Sequence, residues 1–252
     1  MKLPPFAPAL GCLLLASGTL AAFDDDAFVR ENGTALFQDD FNRHESTPGK
    51  EEIGNGWTTN SAWRAKGTKQ VSLEDGAMHI TKTAMADHGV AVFHDAAFQD
   101  GAVRLRFKLE AGDDLGVDFV DRELKTVHAG HLCLAHITLK DVTLTDSKTG
   151  NMDNAIRERL LAGDKSPELL ALLKTKTRRF PVDLTPGEWH TLLVVIDGDV
   201  MRATIDNKSI GEFRSPGIGH LSKRMITLAV NKSAWVDDVK VWTLACECEK
   251  LL

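Results

Sequence analysis

Four polar side chains interrupt apolar runs at alternate positions. Arg104 and Arg106 stand between Val103, Leu105 and Phe107, while Asp118 and His136 stand beside Val117, Phe119, Ala135 and Ile137. Successive side chains of a strand point to opposite faces, so these four lie away from the apolar faces that pack inward. If the strands are neighbours, a cationic pair, a carboxylate and an imidazole share one concave surface. Such a set can hold hydroxyl-rich ligands or move protons. The same charges would equally suit a solvated face of cross-strand ion pairs.

Further acids lie close in sequence. Asp121 and Glu123 share a face by alternation, and either is a candidate acid beside Asp118. Asp118 and Asp121 fall on opposite faces, so the two close carboxylates that retaining glycoside hydrolysis needs are not expected here. Asp121 to Lys125 reads as a charged turn. His131 and His136 also fall on opposite faces by alternation, and with no acidic ligand at zinc-like spacing a zinc centre is not expected. Calcium takes hard oxygen ligands, and Asp39, Asp40, Asp237 and Asp238 would meet if the two chain ends pair. Without a complete ligand loop, these acids fit edges and turns better than a structural calcium site, which stays an alternative; no other cofactor is required. Aromatic residues are 6% of the chain and Tyr is absent. Trp57 and Trp63 lie in loop-like sequence and are the candidates for an exposed binding platform, whereas Trp189, Trp235 and Trp242 are assigned to the core.

Strands must carry these groups. Gly187 to Phe213 reads as three strands joined by tight turns at Asp197-Gly198-Asp199 and Asp206-Asn207-Lys208. A first strand is expected over 35–41, a hairpin over 70–81, and central strands over 101–110, 131–140 and 142–145. Later strands are expected over 225–230 and 235–243. Residues 150–178 break the pattern. Helical spacing there and the N-cap Ser166 before Pro167 predict a helical insertion. The fold class is all-β, a jelly-roll sandwich spanning residues 35–243, with a leader segment over 23–34 and a tail over 244–252.

The chain of 252 residues is 43% hydrophobic, enough for one full core. A formal charge of −6 argues against nucleic acid as a partner. Residues 1–22, with Lys2, an apolar run from Leu10 to Ala16 and the small residues Ala21 and Ala22, match a cleavable signal peptide. The run is too short for a membrane span. A secreted or periplasmic protein is expected, retaining Cys133, Cys246 and Cys248, of which Cys133 is expected to be a buried hydrophobe.

The late meander resembles hairpins of concanavalin-like jelly rolls such as laminin-G modules and family-16 glycosidases. The order Leu36-Phe37-Gln38-Asp39-Asp40-Phe41, Gly56-Trp57-Thr58, Trp63 to Gly76, Val103 to Phe107, Gly187-Glu188-Trp189-His190 and Asp237 to Trp242 resembles the 3-keto-disaccharide hydrolase domain. That resemblance implies a concanavalin-like jelly roll and hydrolysis of a glycosidic bond, with Asp114, Gly116, Arg122 and His131 as positional counterparts of the family's motif. Ala129-Gly130-His131-Leu132 stands where the family has an aromatic residue and Glu. Carbohydrate is the expected partner. The alternative is a non-catalytic module binding a glycan or a protein at the cell surface.

Overall fold

The computed structural model describes residues 23–245; the signal-like segment, Cys246 and Cys248 lie outside the described residues. Helix α1 (Asp25–Asn32) leads into β1 (Gly33–Asp39). The short strand β2 (Thr58–Thr59) and helix α2 (Ser61–Arg64) precede the hairpin of β3 (Val71–Glu74) and β4 (Ala77–Thr81). Next come β5 (Val90–Phe98), β6 (Gly101–Lys108), β7 (Leu115–Val120), β8 (His131–Ile137) and β9 (Asp141–Asp146). Helices α3 (Asn154–Leu161) and α4 (Pro167–Thr175) follow, then β10 (Thr177–Pro181). The chain closes with β11 (Trp189–Asp197), β12 (Val200–Ile205), β13 (Lys208–Arg214), β14 (Lys223–Val230) and β15 (Ser233–Leu244).

Two antiparallel sheets result. One has the order β13-β12-β11-β6-β15-β4-β3 with β1 also paired to β15; the other has the order β10-β9-β8-β7-β14-β5-β2. Alternation decides what lies between them. Val103, Leu105 and Phe107 of β6 and Val194 and Ile196 of β11 meet Val117 and Phe119 of β7 and Ile226 and Leu228 of β14 in one core. Each such side chain contributes roughly 1.5–3 kcal/mol by leaving water. The polar residues between them are forced to the outer faces.

The leader differs from its sequence reading. Residues 25–32 form a helix capped by the Asp24 carboxylate, which accepts from Ala27 N at 2.9 Å. This helix lies on the outer face of the eight-stranded sheet, where Val29 packs with Ala102, Leu193, Val195 and Leu244. Asp25 accepts from Arg202 Nε at 2.6 Å and Thr204 Oγ1 at 3.0 Å. The strip this helix covers is narrow, with Val29 and Phe28 its apolar contacts, so its sequence carries no apolar period.

A second difference concerns tryptophan. Trp189, Trp235 and Trp242 are half-buried, and at least the first two face outward from the eight-stranded sheet, with Lys108 lying 5.3 Å from the Trp189 ring and 4.5 Å from the Trp235 ring. Trp57 is the core residue instead, 6% exposed, with Nε1 donating to Asp39 Oδ2 at 2.9 Å.

Candidate active site

The outer face of the seven-stranded sheet carries one transverse row. Phe93 of β5 is in register with Thr227 of β14, Thr227 with Asp118 of β7, Asp118 with Leu134 of β8, and Leu134 with Thr145 of β9. Asp118 is therefore central in its sheet. It is 4% exposed, and its Oδ2 accepts from His131 Nδ1.

His131 reaches that face through a break in alternation. Phe119 pairs with Cys133 but Val120 pairs with His131, so Leu132 is an extra residue and is fully buried. Such a bulge reverses the facing of everything beyond it and re-aims a side chain. His131 and His136 consequently share the outer face, contrary to the strict alternation read from the sequence. The turn before β8 fixes the entry. Gly130 has φ +77°, and a Cβ there would come within 2.2 Å of Asp121 O.

A carboxylate can only accept, so the bond to Asp118 places the proton on Nδ1 and leaves the lone pair on Nε2. The His131 side chain is 31% exposed. Burial raises the Asp118 carboxyl above its ordinary value, against the opposing attraction of His131. For His131 burial acts to lower the pKa, yet the charge and hydrogen bond of Asp118 outweigh it and raise the imidazole. The imidazolium form of His131 thus persists to higher pH than a free histidine's, and above that pH the Nε2 lone pair is exposed. Asp118 Oδ1 and its cross-strand neighbour Thr227 Oγ1 are buried without a hydrogen-bond partner. Unsatisfied buried polar atoms are costly and concentrate at functional sites.

An aromatic step stands at the β5 end of the same row. Trp63 is 61% exposed and lies parallel to Phe93, with ring centroids 6.3 Å apart and an interplanar angle of 3°. The Arg122 guanidinium lies 4.5 Å from the Phe93 ring centroid. Helix α2, which bears Trp63, is anchored by Asn60: its amide donates to Gly89 O at 2.8 Å and accepts from Ala91 N at 3.1 Å. Glu51 accepts from Ser61 Oγ at 2.6 Å beside it. Below the row, Cys133 faces the core as expected, and burial drives its thiol pKa upward, leaving it inert as a nucleophile.

Other sequence candidates stand elsewhere. Arg104 and Arg106 project from the eight-stranded sheet, on the opposite side of the sandwich from Asp118 and His136, because β6 and β7 belong to different sheets. There Arg104 pairs with Asp26 at 3.2 Å and Arg106 with Asp237 at 3.0 Å. His136 shares the face of Asp118 but is bound to Asp114 at 3.0 Å, which Asn231 also holds. Asp121 accepts from Glu123 N, His220 and Arg224 and closes the turn after β7. Glu123 pairs with Arg224 at 2.8 Å.

The acids considered for calcium do gather where β1 meets β15, but arginines supply the counter-charge. Asp39 accepts from both terminal nitrogens of the Arg43 guanidinium, at 2.6 and 2.8 Å, and from Trp57. Asp40 caps Asn42 N, and Asp237 and Asp238 flank Arg106. Among the described residues no three His, Cys, Asp or Glu side chains are grouped to hold a metal ion.

The sequence profile described as the 3-keto-alpha-glucoside-1,2-lyase-like domain matches residues 39–241. The chain belongs to this family. No curated protein matches it. Among solved structures, family membership agrees with a protein of unknown function with a galectin-like fold from Bacillus subtilis, at TM-score 0.55 and 12% identity, covering 86% of this chain and 99% of that one. A laminarinase from Flavobacterium sp. has TM-score 0.53 and 13% identity, covering 83% of this chain and all (100%) of that one. Carbohydrate binding module CBM66 from Bacillus subtilis has TM-score 0.50 and 11% identity, covering 75% and 96%. At such identity these neighbours establish the jelly-roll fold, and the family relation makes this a carbohydrate-related jelly roll.

Proposed function

We propose that the protein is a lyase acting on a glycoside that carries a ketone at carbon 3, with His131 as the base that takes the proton from carbon 2. The observation that carries this reading is Asp118, buried and bonded to Nδ1 of a partly exposed His131, which leaves the Nε2 lone pair to take a proton. The family's described activity supports it, because a ketone acidifies the neighbouring C–H bond and elimination across carbons 1 and 2 needs one well-placed base.

The Trp63 face suits the apolar face of a sugar ring. Nε2 takes the carbon-2 proton; the C–H electron pair becomes the bond between carbons 1 and 2 as the bond from carbon 1 to the glycosidic oxygen breaks. The departing oxygen keeps that bond's electrons and receives the proton from His131. The products are an unsaturated keto-sugar and an alcohol. Later addition of water to the former gives net hydrolysis. Asp118 stabilises the imidazolium formed midway, as the acid partner of a base does in other hydrolytic sites. An exported location, expected from residues 1–22, suits a substrate met outside the cell.

The test uses a 3-keto-disaccharide and its carbon-2 deuterated form. Turnover by the unaltered protein slows with the deuterated substrate, and His131→Ala lowers turnover at least about 100-fold, the usual scale of general-base catalysis. Full turnover in His131→Ala refutes the assignment.

A further inference from the structure

Arg122, which lines a cavity beside the turn into His131, and Arg157, on the helix packed against that turn, carry no counter-charges. Among the described residues neither side chain forms an ion pair, and both act on His131 by electrostatic repulsion. Arg64, which with Arg157 acts on nearby His128, is offset by Asp87 at 3.7 Å. A cavity of about 380 Å³ adjoins the dyad through His128, Ala129 and Gly130, the residues leading into His131. Its charged lining is Arg122 and Lys125, with His128 and no Asp or Glu. Two pieces of structure hold this arrangement. Val127 bridges to Asp153, and the Asp153 carboxylate caps α3 by accepting from Ala155 N at 3.0 Å and Ile156 N at 3.1 Å, which sets the helix bearing Arg157 against the 122–130 turn. Arg122 is steadied over Phe93.

Such arginines are the minority in this chain. The chain has a net charge of −6, and most of its arginines are matched to acids, as with Arg43, Arg104, Arg106, Arg179, Arg202, Arg214 and Arg224. Unmatched cations acting on one imidazole raise the cost of its protonation, and an oxyanion bound to them removes that cost through charge-assisted, fork-like hydrogen bonds.

We infer that the site takes an anionic sugar, with Arg122 and Arg157 binding a carboxylate or an ester oxyanion on the ring whose proton His131 removes. This rests on the lyase reading for where the reacting carbon lies. The shared ligand chemistry is a tetrahedral or planar oxyanion attached to a keto-sugar.

Titration calorimetry on the full chain distinguishes the sources with three probes: methyl 3-keto-α-glucoside, methyl 3-keto-α-glucuronide and methyl 3-keto-α-glucoside 6-sulfate. One anionic probe binds at least about tenfold more tightly than the neutral one at low salt, and the margin shrinks as salt rises. Which anionic probe leads identifies carboxylate or sulfate as the source. In Arg122→Gln/Arg157→Gln the margin falls to about onefold, and in Arg122→Lys/Arg157→Lys it is partly kept; circular dichroism and thermal melting verify folding of both. Equal binding of all three probes, or a margin that survives in the Gln variant, overturns the inference. Loss of turnover in the Gln variant with equal probe binding also overturns it, assigning the arginines to charge developing on the ketone oxygen. A charge preference in a chain with no lyase turnover would instead sink the reaction and keep the anion site.

Discussion

Replacing Asp118 by Asn tests the central relation of the site. The substitution keeps shape while removing the charge that His131 Nδ1 faces. A hydrogen bond to a charged partner contributes about 1.5–3 kcal/mol. Losing it lowers the imidazole pKa, because the charge that favours the protonated ring is gone. The sign is fixed by the two opposing influences on His131: the raising one comes from Asp118, and the lowering ones, from burial and from Arg122 and Arg157, persist in the variant. Turnover by a base rises with pH as His131 loses its proton. In the unaltered protein that limb sits above the ordinary histidine value of 6.5, and in Asp118→Asn it moves to lower pH. The plateau falls about 10²–10⁴-fold, because the amide can hold the wrong tautomer and cannot stabilise the imidazolium. Stability stays within about 2 kcal/mol, since Asn avoids the burial of a carboxylate whose Oδ1 has no partner. The assay is a pH profile of kcat with a 3-keto-disaccharide, beside urea denaturation. An unmoved limb with an unchanged plateau refutes the reasoning.

Other outcomes follow from the same geometry. Trp63→Ala raises KM about tenfold, matching the loss of about 1–1.5 kcal/mol of ring contact, while melting temperature changes little because the side chain is 61% exposed. Asp39→Asn weakens the clamp on Arg43 and Trp57 and costs about 3 kcal/mol in urea denaturation, the scale for breaking a buried pair. Burial alone would raise the Asp39 carboxyl, but Arg43, Phe41 N–H and Trp57 together hold it below its ordinary value of 3.8. Its stabilisation is therefore present above that value and lost as pH falls through the folded one, so Asp39→Asn flattens the acid limb of the stability curve. Gly130→Ala meets both the left-handed backbone at φ +77° and the Asp121 carbonyl. It costs about 2 kcal/mol or more and lowers kcat by moving His131, measured by denaturation and initial rates.

The jelly roll was legible because inward positions of the central strands, such as Val103, Leu105 and Phe107, alternate cleanly with charges. The helices of residues 154–161 and 167–175 were legible too, through their spacing and Pro167 at the first turn. Asp118 and Trp63 could be singled out by type and place. His131 and Arg122 entered the site only as counterparts of the family's motif, and the pairing of His131 with Asp118 could not be read. His131 depends on a single extra residue at Leu132, and alternation read along an unbroken strand sends it to the wrong face. The grouping of Arg104 and Arg106 with Asp118 failed for a different reason. Strand spacing tells which way a side chain points from its own sheet, and says nothing about which of two sheets receives the strand. Arg157 was hidden because its helix is an insertion whose docking depends on the Val127 bridge to Asp153.

The helix of residues 25–32 changes where this domain can safely be cut. A chain begun at residue 35 would still contain nearly every strand, yet Ala102, Leu193 and Val195 would face water, and the Arg202 side chain, 13% exposed, would lose its tie to Asp25. Such a truncated form would stick to itself through that bare strip, so poor solubility on trimming would signal a missing lid and leave the integrity of the sandwich itself unquestioned.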